Sequence, residues 1–484
     1  MAPWGTANML IDSLSELNRQ SITNFKFSIA DISEETVKVL VSDESDLSAL
    51  DYLRSLVRKP LTITWVSHEI IDRGVTSMHP SSEDHAPTEP SEDLSRLPEL
   101  DSEAARDIAA IISASVDSGA SDIHFEPGEQ SLHCRVRVDG LLQESRRFPK
   151  SSALQMLARI KILAGLDIAE KRRPQDGRIR FAHNGRKVDI RVSVIPTAGG
   201  EKAVLRLLDK QQLRLQIDQL GFSNEQLLLF QNKISLPNGI ILVTGPTGSG
   251  KTTTLYAALQ HLNKPGVNIS TVEDPIEYEI PGVNQTHVRP DIGVTFASLL
   301  RAMLRQDPNI IMIGEIRDQE TLEIAIRASL TGHLVLSTVH TNSALATPAR
   351  LIDMGAQSFL LASTLRLIMA QRLLRRVCPN CSTADIPKEQ EAAAKVLGLS
   401  VSSGLRVGRG CDNCRHTGYK GRIVVAEFLD ISDDHREAID RRAPEAQLRK
   451  IAEDTGFKSM MAAVQHYIDI GATTPSEALR ELQQ

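Results

Sequence analysis

The chain has 484 residues, 41% hydrophobic and 24% charged, a balance that excludes a disordered polymer and predicts three or four domains. Acidic side chains outnumber basic ones, 61 to 55, for a formal charge of −6, which argues against a protein whose main task is gripping phosphodiester backbones. No apolar run approaches the ~20 residues that cross a bilayer, and the first residues lack a basic n-region, so a cytoplasmic chain that meets membranes only through partners is expected.

Residues 1–78 read as a small α/β unit with no catalytic signature, with strands at Val37–Val41 and Leu61–Val66 and a helix over Asp46–Val57. Residues 79–103 read as a linker: Pro80–Glu103 holds four prolines, eight acidic residues and one basic residue, too little apolar surface to order itself. A second α/β domain is expected over 104–209, with a helix at Ala104–Ser118 and strand alternation at Leu132–Val138 and Asp189–Val194. It is rich in arginine, at Arg178, Arg191 and Arg206, a side chain whose fork matches phosphate oxygens. A third domain, 210–375, alternates apolar strands with helices, the mark of a mainly parallel sheet. A cysteine module (376–422) and a helical tail (423–484) complete the chain.

The third domain carries the chemistry. Gly245, Pro246, Thr247, Gly248, Ser249, Gly250, Lys251 and Thr252 fit the phosphate-binding pattern G-x-x-x-x-G-K-[ST] and are followed by Thr253. The β-branched run Gly239–Thr244 precedes the loop and a helical stretch, Thr253–Leu262, follows it. The glycines let amide groups turn inward around phosphates, and the helix N-terminus adds its dipole. Lys251 is expected on the β- and γ-phosphates of ATP and Thr252 on Mg²⁺. Three more strands, at Asn268–Glu273, Asn309–Glu315 and His333–His340, end in polar groups where parallel sheets place ligands. Glu273 and Glu315 are candidates to orient water or bind Mg²⁺ through water, and His340 to sense the γ-phosphate or hold a catalytic carboxylate. Gly314 stands where a magnesium-binding Asp is usual, so Mg²⁺ is expected on Thr252 and waters.

Cys378 and Cys381, then Cys411 and Cys414, form two C-x-x-C pairs separated by 29 residues. Two such knuckles complete a tetrahedral Cys₄ site for structural Zn²⁺. Cys134 reads as a core residue.

From Ser121 to the C-terminus the chain resembles the GspE/PilB family of type II secretion and type IV pilus ATPases. The likeness rests on Ser121–Pro127 (SDIHFEP), Arg173–Arg178 (RPQDGR), Gly245–Thr254, Glu273–Glu277 (EDPIE), Leu299–Asp318 (LLRAMLRQDPNIIMIGEIRD), Thr331–Thr341 (TGHLVLSTVHT) and the cysteine pairs after Ala370–Leu373 (AQRL). It implies a homo-hexameric ring with a RecA-like ATPase core per subunit, a PAS-like domain that moves against it, and inner-membrane platform and docking proteins as partners. By the same resemblance Glu273 belongs to an Asp box, Glu315 to an atypical Walker B motif and His340 to a His box. Arg191, Arg206, Arg301 and Arg305 match nucleotide-site arginines. The implied function is ATP-driven assembly of pilin-like subunits for type II secretion, or alternatively type IV pilus extension. A nucleic-acid translocase is the rival from another class, opposed by the acidic balance, 4% aromatics and the absence of a Lys/Arg cluster. A scaffold that binds nucleotide without hydrolysis is opposed by the intact Lys251, Thr252, Glu273 and Glu315.

Overall fold

The computed structural model describes residues 27–32, 37–41, 61–65, 103–209 and 215–483. The chain forms two compact units, Met1–Ser91 and Glu92–Gln484. In the first, β1 (Phe27–Ile32) pairs antiparallel with β2 (Val37–Val41), which pairs parallel with β3 (Leu61–Trp65). The helix expected over 46–57 and the linker expected over 79–103, up to residue 102, lie outside the described residues.

The second unit begins with an antiparallel sheet of β4 (Asp122–Pro127), β5 (Ser131–Val138), β6 (Leu141–Pro149), β7 (Gln175–His183), β8 (Arg186–Thr197) and β9 (Gly200–Asp209), in the order β6-β5-β4-β9-β8-β7. Period-2 alternation sends Leu132, Cys134, Val136, Val188, Ile190, Val192 and Leu205 to one face. The helices Glu103–Asp117 and Lys150–Leu163 cover that face with Ile108, Ile112, Met156 and Ile160. Cys134 is fully buried there, and desolvation pushes its thiol up to about 12, which removes it from nucleophilic chemistry. The other face is polar. On it Arg178 pairs in register with Arg191, Arg191 with Arg206 and Arg206 with Asp122 across adjacent strands.

The next sheet has seven strands: β10 (Gly239–Thr244), β11 (Ile269–Glu273), β12 (Asn284–His287), β13 (Ile310–Ile313), β14 (Leu334–Val339), β15 (Leu365–Val377) and β18 (Tyr419–Asp430). Their order is β12-β11-β13-β14-β10-β15-β18, and every pairing is parallel except β15 with β18. Runs such as IIMI and LVLSTV are buried at every position because helices pack on both faces. The strand leading into the glycine loop therefore lies inside the sheet, between β14 and β15.

The cysteine module is the tip of a long hairpin. Strands β15 and β18 pair from Leu367↔Asp430 out to Val377↔Tyr419, and the tip carries β16 (Ser382–Thr383), the helix Lys388–Leu397 and β17 (Val407–Gly408). The tail beyond Asp430 forms four helices, and buried Glu477 on the last of them ties it to β15 through Arg375.

Candidate active site

The helix Lys251–Leu262 starts directly from Gly250, which sits in the left-handed region at φ 88° and leaves the first amides of the helix pointing out of its N-terminus. Gly245 has φ 139°, and a Cβ there would come within 2.5 Å of the Gln371 carbonyl, so only glycine fits where β15 presses against the loop. Lys251 Nζ donates to the carbonyls of Gly245 and Pro246, 2.8 and 2.9 Å away. Burial, only partly offset by Glu315 and reinforced by Arg372, brings its ammonium down to about 8. Ser249 Oγ and Thr244 Oγ1 are buried without a hydrogen-bond partner. A helix N-terminus, an ammonium bonded only to its own loop and two orphaned hydroxyls suit phosphate oxygens.

This loop opens into a cleft of about 560 Å³, in the range of small-ligand sites. Thr247, Gly248, Gly250, Lys251, Thr252 and Thr253 line one side, and Glu273, Glu277, Glu315 and His340 line it from the strand ends. Arg206 reaches it from the antiparallel sheet. Arg191 stands beside it, donating to the Ile276 carbonyl at 2.8 Å and lying 3.5 Å from Glu277.

The two candidate carboxylates differ in kind. Glu273 is 3% exposed and takes three donors: the Tyr256 hydroxyl, Thr271 Oγ1 at 2.5 Å and Gln285 Nε2 at 3.0 Å. Tyr256 in turn accepts the Glu277 amide, 3.2 Å away. Glu315 has no such cage. Its Oε2 meets Arg317 at 2.5 Å and His340 Nε2 at 3.5 Å, and among the described residues no hydrogen bond reaches Oε1. Gly314 follows β13 where a Cβ would sit 3.3 Å from the Val272 carbonyl, a close approach that favours the missing side chain.

Arg301 and Arg305 do not line this cleft. Arg301, in the helix Phe296–Met303, reaches Glu320, and Arg305, two residues past the helix end, donates to the Arg301 carbonyl. The sequence reading had not singled out Arg317 and Arg422, which do line it, or Tyr256, Gln371 and Arg372. Gln371 is fully buried. It donates to the Ser249 carbonyl at 2.6 Å and accepts the Thr254 hydroxyl at 3.0 Å, bracketing the loop from β15. Arg372 lies behind the loop, bonded to the Asn342 carbonyl at 3.2 Å.

At the hairpin tip the sulfurs of Cys378, Cys381, Cys411 and Cys414 all lie within 4.8 Å of one another. Three of the separations are 3.9, 3.8 and 3.7 Å. A tetrahedron with zinc–sulfur bonds of ~2.3 Å has edges of about 3.8 Å, so this donor set fits Zn²⁺ with no open position.

Comparison with known proteins agrees with this geometry. A family model described as "Type II/IV secretion system protein" matches residues 99–480. The chain is 48% identical over 382 residues to "Type II secretion system protein E" of Pseudomonas aeruginosa, covering 79% of this chain and 76% of that protein. It is 41% identical over 465 residues to "Type IV pilus assembly ATPase PilB" of Myxococcus xanthus, covering 91% and 81%. The solved structure of the pilus retraction motor PilT with bound ADP is similar at a TM-score of 0.52 and 27% identity, over 77% of this chain and 96% of that one.

Proposed function

Because the chain belongs to the type II/IV secretion system protein family, we propose that it is a cytoplasmic P-loop ATPase motor whose ATP-driven domain closure assembles pilin-like subunits for type II protein secretion. The observation that carries this is the cleft itself, where the phosphate loop, two strand-end glutamates and an arginine from a second domain meet. Relatives named for secretion and for pilus assembly both match, so pilus extension is the second reading.

In this reading Lys251 leaves its own loop carbonyls for the β- and γ-phosphates of ATP. Thr252, exposed at the cleft, would hold Mg²⁺, which supplies neutralisation of phosphate charge. Glu315 orients the attacking water through Oε1, with His340 beside Oε2. Glu273, held by three donors, braces the Asp274–Glu277 loop through Tyr256, which accepts the Glu277 amide. Arg206 and Arg191 bring positive charge from the antiparallel domain when the cleft closes. The four cysteines would hold Zn²⁺, which cross-links the hairpin tip. In a homo-hexamer Arg301 and Arg305 would serve the neighbouring subunit's cleft. No described helix is long and apolar enough to cross a membrane; contact with the inner membrane then runs through platform and docking proteins.

Glu315→Gln keeps nucleotide binding and lowers turnover by about a hundredfold, the usual weight of a positioned base. Introduced into the chromosome of the native host, it separates the two readings by mass spectrometry of culture supernatant and sheared surface filaments. Loss of soluble exoproteins with filaments unchanged supports the secretion motor. Loss of the major pilin instead replaces it with pilus extension, and no change in either fraction sinks both.

The lysine gives a pH signature. Its ammonium is lowered to about 8 in the free protein, so above that pH the chain must take up a proton to bind phosphate. The nucleotide dissociation constant should be flat below pH 8 and weaken toward tenfold per pH unit above it. Calorimetric titration between pH 7 and 9.5 tests this, and a flat profile throughout contradicts it.

A further inference from the structure

Between the antiparallel domain and the rest of its unit, the hairpin that carries the four cysteines makes a contact that none of the nucleotide-site motifs explains. The turn joining β5 to β6 is Asp139-Gly140, both at positive φ (48° and 83°), as two-residue hairpin turns of this type require. Asp139 sits at the tip of that turn, yet its side chain is only 22% exposed, because the outgoing strand of the cysteine hairpin covers it. The Gly421 amide donates to Asp139 Oδ2 at 2.8 Å, and Arg422 Nε lies 3.8 Å from Oδ1.

The same strand is fixed at its other end by the cysteines. The Gly418 amide donates to Cys414 Sγ at 3.3 Å, and the Cys378 amide donates to the Gly418 carbonyl at 2.9 Å. Four residues later Arg422 lines the nucleotide cleft. A short segment thus runs from the cysteines, past Asp139, to an arginine that lines the cleft.

We propose that Asp139 is a positioning residue, a latch that ties the outgoing strand of the cysteine hairpin to the antiparallel domain and sets where Arg422 enters the cleft. Closure of that domain over nucleotide then pulls on the cysteine module, and a metal-ordered module steadies the closed cleft. The kinetic half of this idea rests on the reading of the protein as an ATPase; the structural half does not.

Two substitutions separate the latch from the turn. Asp139→Gly keeps a residue at ease with positive φ and deletes the acceptor, whereas Asp139→Asn keeps both the turn preference and an acceptor oxygen. Hydrogen–deuterium exchange of the zinc-loaded full chain, with magnesium and AMP-PNP, reads residues 419–423 directly. Asp139→Gly should speed exchange there by about tenfold, the scale of one hydrogen bond to a charged acceptor, while Asp139→Asn stays near wild type. Steady-state kinetics should show KM for ATP raised about tenfold in Asp139→Gly and restored in Asp139→Asn. Exchange over 419–423 unchanged in Asp139→Gly overturns the latch. Absence of turnover in the wild type would instead sink the ATPase reading, with the exchange result still deciding the latch.

Discussion

Lys251→Ala abolishes ATP turnover, by about a thousandfold, and leaves the fold intact. The size follows from what the ammonium does when phosphate arrives. It is the one cation that springs from the phosphate loop itself, and charge on the transferring phosphoryl group is met mainly by such fixed donors, each worth ~10²–10³ in rate. The fold should survive because Nζ bonds only to two carbonyls of its own loop, Gly245 and Pro246, and water can replace it there. The strand and helix around the loop are held by Ile241, Val243, Leu255 and Tyr256, none of which depends on the lysine. Phosphate release from the assembled protein, with circular dichroism as a control, measures both halves. Turnover within tenfold of wild type would refute the site assignment.

The second large effect concerns the metal. Wild-type protein should carry one zinc per chain by atomic emission, and Cys378→Ser combined with Cys411→Ser should carry none. Structural zinc contributes on the order of 10 kcal/mol to small domains that fold around it. The tip between Cys378 and Gly418 has little other apolar core, its buried apolar residues being Ala393, Ala394, Leu405 and Val407 beside Cys378 and Cys414. Limited proteolysis of the double variant should therefore cut within 378–418. The seven-stranded sheet should resist, because β15 and β18 pair over Leu367–Val377 without help from the tip. Full zinc content in the double variant, or none in the wild type, would contradict the Cys₄ assignment.

The phosphate loop was legible in sequence because its chemistry tolerates few residue types, as the 2.5 Å approach at Gly245 illustrates. Strands β10, β11, β13 and β14 were legible because burial on both faces leaves unbroken β-branched runs ending in polar groups. Strand β15 was not. Its run LRLIMAQRLLRRV buries arginines at 372 and 375 among aliphatic residues, so neither a period of two nor one of 3.6 stands out. Without β15, the roles of Gln371 and Arg372 behind the loop were out of reach. In the antiparallel domain β6 was hidden for the opposite reason, since LLQESRRFP is mostly solvent-facing. Arg422 and Asp139 are 283 positions apart, and only the fold reveals that they are neighbours. Family resemblance named Arg301 and Arg305, but one chain's geometry turns them away from its own cleft.

The bracketing of the phosphate loop by Gln371 carries a consequence for how the protein is made. Lys251 leaves the ribosome 120 residues before Gln371, a gap of roughly 6–24 s at common synthesis rates. Throughout that interval β10 lacks its β15 neighbour, and the Ser249 carbonyl and Thr254 hydroxyl lack their amide partner. A nascent chain therefore displays the nucleotide motif without the brace that shapes it. Under the proposed function, the braced form of the loop is complete only after β15, the neighbour of β10, has been translated.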